Sequence, residues 1–122
     1  APTVLDLAGL SAPAEVQGKS FLPLLTGEKK SKEWRDAVYY HYYEFPQPHH
    51  VYPHFGLRTE RYKLVRFYGG IDTWELYDLQ NDPQEMTNIY GDGSGGVIAS
   101  LKSRLKELIE EYDDADARAL MQ

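Results

Sequence analysis

A chain of 122 residues, 42% of them apolar, has room for one modest domain that buries roughly two-thirds of the surface it exposes when unfolded. Its net charge of −6, with basic residues scattered along the chain, lacks the concentrated basic face that a nucleic-acid partner needs. With no cysteine there is neither a disulfide nor thiolate chemistry, and no apolar run approaches the ~20 residues of a membrane-spanning helix. No signal peptide opens the chain, and Ala1-Pro-Thr-Val-Leu-Asp-Leu-Ala-Gly-Leu10 reads as the interior of a larger protein.

In chain order, Pro2 before and Gly9 after the apolar residues of 3–8 predict a short helix whose apolar surface is large for its length. Residues 11–17 read as a linker. Phe21, Leu22, Leu24 and Leu25 then anchor a single helical turn, because Pro23 interrupts anything longer. The charged stretch 28–33 is expected in solvent. Ala-Val-Tyr-Tyr-His-Tyr-Tyr over 37–43 is rich in β-formers and predicts a first strand, with Val38, Tyr40 and Tyr42 on one face and Tyr39, His41 and Tyr43 on the other. Pro46, Pro48 and Pro53 impose an extended loop carrying His49 and His50. Three more strands follow over 54–59, 62–68 and 73–79, joined by connections short enough for an antiparallel meander.

Asn81-Asp82-Pro83 is a turn signal. Beyond it, Ile98, Leu101, Leu105, Leu108 and Tyr112 recur at three- and four-residue spacing, which predicts an amphipathic helix over 97–112 with Ser94 near its cap. The residues from 113 onward are expected to fray. The fold class is therefore α+β: a four-stranded antiparallel sheet with one long C-terminal helix on one face, preceded by short N-terminal helical segments.

Several residue patterns bear on chemistry. Gly91-Asp-Gly-Ser-Gly-Gly96 matches G-x-G-x-x-G, but no βαβ unit follows, so it reads as a loop. Asp113, Asp114 and Asp116 lack the spacing of a calcium loop and read as a solvated acidic tail. His49, His50 and His54 fall within six residues, yet there is no fourth ligand at metal spacing; they are read as donors to an anionic or hydroxylated ligand, against plain loop histidines. His54 and Arg58 share a strand face with Gly56 as a notch between them. At ~3.3 Å per residue they stand about 13 Å apart, too far to grip one sulfate, though they could contact two parts of an oligosaccharide. A structural ion pair is the preferred role for Arg58. Ser11-Ala-Pro-Ala-Glu15 has serine and proline at S-x-P spacing but Glu15 where an arginine would complete a sulfatase activation motif, and is rejected.

Arg58-Thr-Glu-Arg-Tyr-Lys-Leu64 and Trp74-Glu-Leu-Tyr-Asp-Leu-Gln-Asn-Asp-Pro-Gln-Glu-Met-Thr-Asn88 resemble the C-terminal subdomain of type I, formylglycine-dependent sulfatases. The pattern E-L-Y-D-L-x-x-D-P-x-E-x-x-N is matched by Glu75, Leu76, Tyr77, Asp78, Leu79, Asp82, Pro83, Glu85 and Asn88. Residues 2–10 and 18–25 are similar to the segment joining the catalytic domain to that subdomain, with a flavour of bacterial arylsulfatases and N-acetylhexosamine-6-sulfatases. The resemblance implies a parent enzyme, secreted or periplasmic, that hydrolyses sulfate esters on glycans. It implies calcium and formylglycine in an N-terminal catalytic domain, and neither in these residues. It also implies residues 1–36 as the joining segment and 37–122 as the subdomain.

By this reading the chain alone is inert: it supports the catalytic domain and lends His49, His50, His54 and Arg58 to the rim that binds a sulfated carbohydrate. Glu85 and Asn88 are expected to bond local backbone around the turn. Two other readings stand beside it. One is a free-standing carbohydrate- or protein-binding module with the tyrosine-rich strand as platform. The other is the same subdomain of a related phosphoric-ester hydrolase. A subdomain parted from its catalytic domain should expose apolar residues such as Val4, Leu5, Leu7, Phe21 and Leu24, and could self-associate through them.

Overall fold

The computed structural model describes residues 1–30 and 33–121. The chain divides into two compact units, Ala1–Asp36 and Ala37–Gln122.

In the first unit, α1 (Pro2–Leu7) starts on proline as expected, and α2 (Leu22–Leu25) is the single turn that Pro23 allows. Two side chains of α1 pin the segment leading into α2. Thr3 Oγ1 accepts the Phe21 N–H at 3.2 Å, and Asp6 accepts the Ser20 hydroxyl at 2.6 Å. Thr3 is accordingly buried, whereas Val4, Leu7, Leu10, Phe21 and Leu25 are exposed. Leu5 and Leu24 are half-buried. Within 28–33, the described residues Glu28, Lys29, Lys30 and Glu33 are exposed; residues 31 and 32 lie outside those described.

The second unit is an antiparallel meander, β1 (Ala37–Tyr42), β2 (His54–Thr59), β3 (Tyr62–Phe67) and β4 (Thr73–Asp78), in the order β1-β2-β3-β4. Thr59 closes the β2–β3 turn by accepting the Tyr62 N–H at 2.8 Å. The register sets Tyr39, Leu57, Leu64 and Leu76 in one row across all four strands. That face meets α3 (Gly95–Glu111), whose Leu101, Leu105, Leu108 and Ile109 are buried with Phe55, Leu57, Leu64 and Leu76. Each such aliphatic or aromatic side chain contributes roughly 1.5–3 kcal/mol. Ile98 and Tyr112 are half-buried at the margin, Tyr112 stacked on Tyr39 at 5.7 Å.

Ser94 is the N-cap residue of α3, as expected, with its hydroxyl donating to Ile89 O at 3.1 Å. Two local expectations need correction. The acidic tail is ordered: α4 (Ala115–Leu120) begins on Asp114, which accepts the Ala117 N–H, and Ala117 is fully buried. The Glu85 side chain bonds no local backbone among the described residues; the residue adopts φ 55° and its carboxylate pairs with Lys63 of β3. Asn88, by contrast, bonds backbone as expected. Its Oδ1 accepts from Leu76 N (3.0 Å) and Tyr90 N (2.9 Å), while Ile89 N donates to Leu76 O, so the chain after the turn covers the free edge of β4.

Candidate functional site

The sheet face opposite α3 carries the predicted site residues. Register puts His54 in a row with Tyr42, Phe67 and Thr73, and Arg58 in a row with Val38, Lys63 and Tyr77. Between them runs the row of Tyr40, Gly56, Val65 and Glu75. Two residues along one strand face therefore means two separate rows, as the spacing requires. Gly56 leaves no notch, because Tyr40 fills it. A Cβ at Gly56 would collide with the Leu64 carbonyl and stand 3.0 Å from the Tyr40 oxygen, so only glycine admits this close approach.

His54 is the best-defined member. Its ring stacks on Tyr42 at 5.3 Å and tilts against Phe67 at 4.8 Å. Nδ1 lies 2.8 Å from the Tyr52 carbonyl. A carbonyl only accepts, so the proton sits on Nδ1, and Nε2 is left without a partner among the described residues. The imidazole is thus held by aromatic packing and one hydrogen bond, with a single nitrogen available to a ligand.

His49 and His50 sit on the loop over 43–53, and both are exposed. The loop is not extended throughout. His50 N–H donates to Pro46 O at 3.0 Å and closes a turn, with His50 at φ 54°. Phe45 stacks on Tyr52 at 4.7 Å, and Tyr52 packs on Gly70, which anchors the loop beside the β3–β4 turn. His50 and His54 are therefore carried by one aromatic-lined end of the unit. Arg58 is exposed and, among the described residues, forms no ion pair, contrary to the structural pairing expected for it. The cation opposite it on β3, Lys63, takes the carboxylate of Glu85 instead.

Two phenols on this face, Tyr40 and Tyr42, bury their hydroxyls without a hydrogen-bond partner among the described residues. Burial, then the Glu85 and Glu75 charges, push the Tyr40 phenol well above its usual value. Tyr77 donates to Glu75 at 2.8 Å; burial and that hydrogen bond push its phenol up to about 12. These phenols stay protonated and can only donate or accept a hydrogen bond.

A second constellation escaped the sequence reading. His41 points into the helix-covered side, where its Nδ1–H donates to Asp114 at 2.6 Å and its Nε2 accepts from the Tyr68 hydroxyl at 2.8 Å. Tyr39 also donates to Asp114, at 2.7 Å. Burial alone would raise the Asp114 carboxyl, but the Ala117 N–H, His41 and Tyr39 donors together hold it below the usual carboxylate range. Asp–His–Tyr in series resembles a catalytic relay. Both imidazole nitrogens are occupied within the protein, however, and the His41 and Asp114 side chains are only 4% and 10% exposed. Nearly buried and hydrogen-bonded on both sides, the pair ties α4 to the sheet. The one signal in the sequence was His41 itself, a polar residue on the face that alternation assigns to the core.

Among the described residues no three His, Cys, Asp or Glu side chains converge to hold a metal ion, and none of their helices is long and apolar enough to cross a membrane. Calcium, which takes about six or more oxygen ligands, finds no such donor set among the described residues.

A four-stranded meander with one covering helix, a turn docked on its edge strand and an aromatic-lined outer face is the architecture expected of a sulfatase C-terminal subdomain. Residues 1–111 match the family model described as N-sulphoglucosamine sulphohydrolase, C-terminal, and the chain belongs to that family. It is 46% identical over 121 residues to an N-acetylglucosamine-6-O-sulfatase of Bacteroides thetaiotaomicron, covering 95% of this chain and 21% of that protein. A Delta 4,5-hexuronate-2-O-sulfatase of the same organism is 34% identical, with 98% of this chain and 24% of that protein covered. A protein solved in complex with its substrate D-glucosamine-2-N,6-O-disulfate superposes with a TM-score of 0.88 at 45% identity, over 94% of this chain and 24% of that one. The phosphonate monoester hydrolase of Agrobacterium radiobacter superposes at 0.70 and 27% identity, over 91% of this chain and 24% of that one. The chain thus spans about a fifth to a quarter of the length of these relatives.

Proposed function

We propose that this chain is the C-terminal subdomain of an enzyme that hydrolyses sulfate esters on glycans, and that it braces the catalytic domain and lines the substrate rim. The observation that carries the reading is 46% identity to an N-acetylglucosamine-6-O-sulfatase across 95% of the chain. In this account residues 1–36 join the catalytic domain to the subdomain over 37–122. The exposed Val4, Leu7, Leu10, Phe21 and Leu25 are then the surface that meets the catalytic domain. Nucleophile and metal, formylglycine and calcium in the family, belong to that domain, and the whole enzyme works in the periplasm or outside the cell.

At the rim, His54 offers Nε2 as an acceptor to a sugar hydroxyl, and Arg58, two rows away, offers a guanidinium with no ion pair among the described residues. His49 and His50 extend the same surface on the turn. A sulfated oligosaccharide lying across the face would meet these groups in succession, with no single sulfate gripped by both His54 and Arg58.

The test is sulfate release from 6-O-sulfated N-acetylglucosamine by the full-length enzyme and by the 122-residue chain. The account expects turnover by the first and none by the second. Turnover by the isolated chain, or none by the full-length protein, would sink it. The likeness to a phosphonate monoester hydrolase supports the related-ester reading, and phosphate or phosphonate monoesters in the same assay decide between them.

A further inference from the structure

On the side of the sheet that α3 covers, Arg66 and Trp74 join Lys102, Ser103, Lys106 and Met121 around an open groove of about 450 Å³. Among the described residues its lining carries three cations and no carboxylate side chain, on a chain whose net charge is −6. Lys102 and Lys106 are one helical turn apart on α3, so their ammonium groups rise from the same face and repel. Neither forms an ion pair among the described residues. The neighbouring acids are engaged elsewhere: Glu107 with Arg104, Glu110 with Arg118.

Two of the three cations are held in place by aromatic rings. Lys102 Nζ lies 4.1 Å from the Trp74 ring centroid and 5.4 Å from that of Tyr90, and the two rings are parallel at 6.1 Å. The Arg66 guanidinium sits 5.4 Å from the same indole. Its partner acid, Asp72, is 82% exposed, a pairing weakened by solvent, and its buried Nε has no acceptor among the described residues. Two lysines without acids and an arginine whose acid is solvent-exposed, beside a serine hydroxyl and an indole edge, form a receptor for a tetrahedral oxyanion.

The geometry points to a second binding site, one that takes a sulfate group carried on a sugar. It lies on the sheet face opposite His54 and Arg58, so it would hold a different stretch of a polysulfated glycan from the one at the rim. The oxyanion site stands on the groove alone; the sugar attached to it rests on the proposed function.

The chain has two tryptophans, Trp34 and Trp74, so Trp34→Phe leaves Trp74 as sole reporter. Fluorescence titration of this full chain is run with sodium sulfate, D-glucosamine 6-sulfate, unsulfated glucosamine, and sodium chloride at matched ionic strength. Saturable change with sulfate and tighter saturation with the sulfated sugar, but none with glucosamine or chloride, is the expected result. Lys106→Gln, at an exposed position, should weaken it roughly tenfold or more, the size of one lost charge-assisted contact, with unchanged Tm. Lys102→Gln provides the second variant. No saturation, or saturation indifferent to both substitutions, overturns the site. Sulfate binding with no gain from the sugar overturns the glycan assignment. A full-length enzyme that releases no sulfate would remove the proposed function while leaving binding of inorganic sulfate intact.

Discussion

His41 can be buried on the core side of β1 because Asp114 and Tyr68 satisfy both its nitrogens. Replacing Asp114 with asparagine removes the charge that Tyr39 and His41 address, and should lower stability by about 1–3 kcal/mol, read as a fall in Tm. The acid dependence has a definite sign. The Asp114 carboxyl is held below its unfolded value, so the ionised form stabilises the fold above about pH 4, and that contribution is lost as pH falls through the depressed value. Urea midpoints of the wild type should therefore decline on the acid side more steeply than those of Asp114→Asn. Parallel acid limbs would contradict this role. Asn88→Ala strips the acceptor from Leu76 N and Tyr90 N together and should cost about 1–3 kcal/mol by the same measurement.

At the scale of elements, the core is the most sensitive part. Leu105 of α3 is fully buried, so Leu105→Ala should destabilise by about 2–5 kcal/mol in urea unfolding, while Lys106→Gln beside it should stay within about ±0.5 kcal/mol. This contrast explains what the sequence disclosed. Alternation and helical period report burial, so the four strands, their meander and the stripe Leu101, Leu105, Leu108 were legible from residue order. Pairings across the chain were not. Asp114 looked like one acid among several, and nothing local tells that it meets a histidine 73 residues earlier. Asp82-Pro83 is a local signal that points Glu85 to its own turn, whereas its partner Lys63 lies on β3. Of the candidate rim, His54 and Arg58 could be placed on one face by parity alone. That Tyr40 fills the space over Gly56 depends on a neighbouring strand, which parity does not describe.

For the whole molecule, the exposed apolar residues of Ala1–Asp36 provide a separate check on the proposed partner domain. Leu7 is 65% exposed in this chain, so Leu7→Asp should shift its stability by no more than about 0.5 kcal/mol. In the full-length enzyme, where that surface is proposed to meet the catalytic domain, the same substitution should lower Tm clearly. Equal indifference in both would remove Leu7 from the interface. Sedimentation of the isolated chain against the full-length protein tells whether the exposed residues drive self-association once their partner domain is missing. The central claim, that a catalytically inert subdomain contributes to substrate recognition through His54, is tested most directly by steady-state kinetics of full-length His54→Ala on 6-O-sulfated N-acetylglucosamine. Loss of one ligand hydrogen bond should reduce kcat/KM roughly tenfold, chiefly through KM, with Tm held. Kinetics indistinguishable from wild type would contradict it.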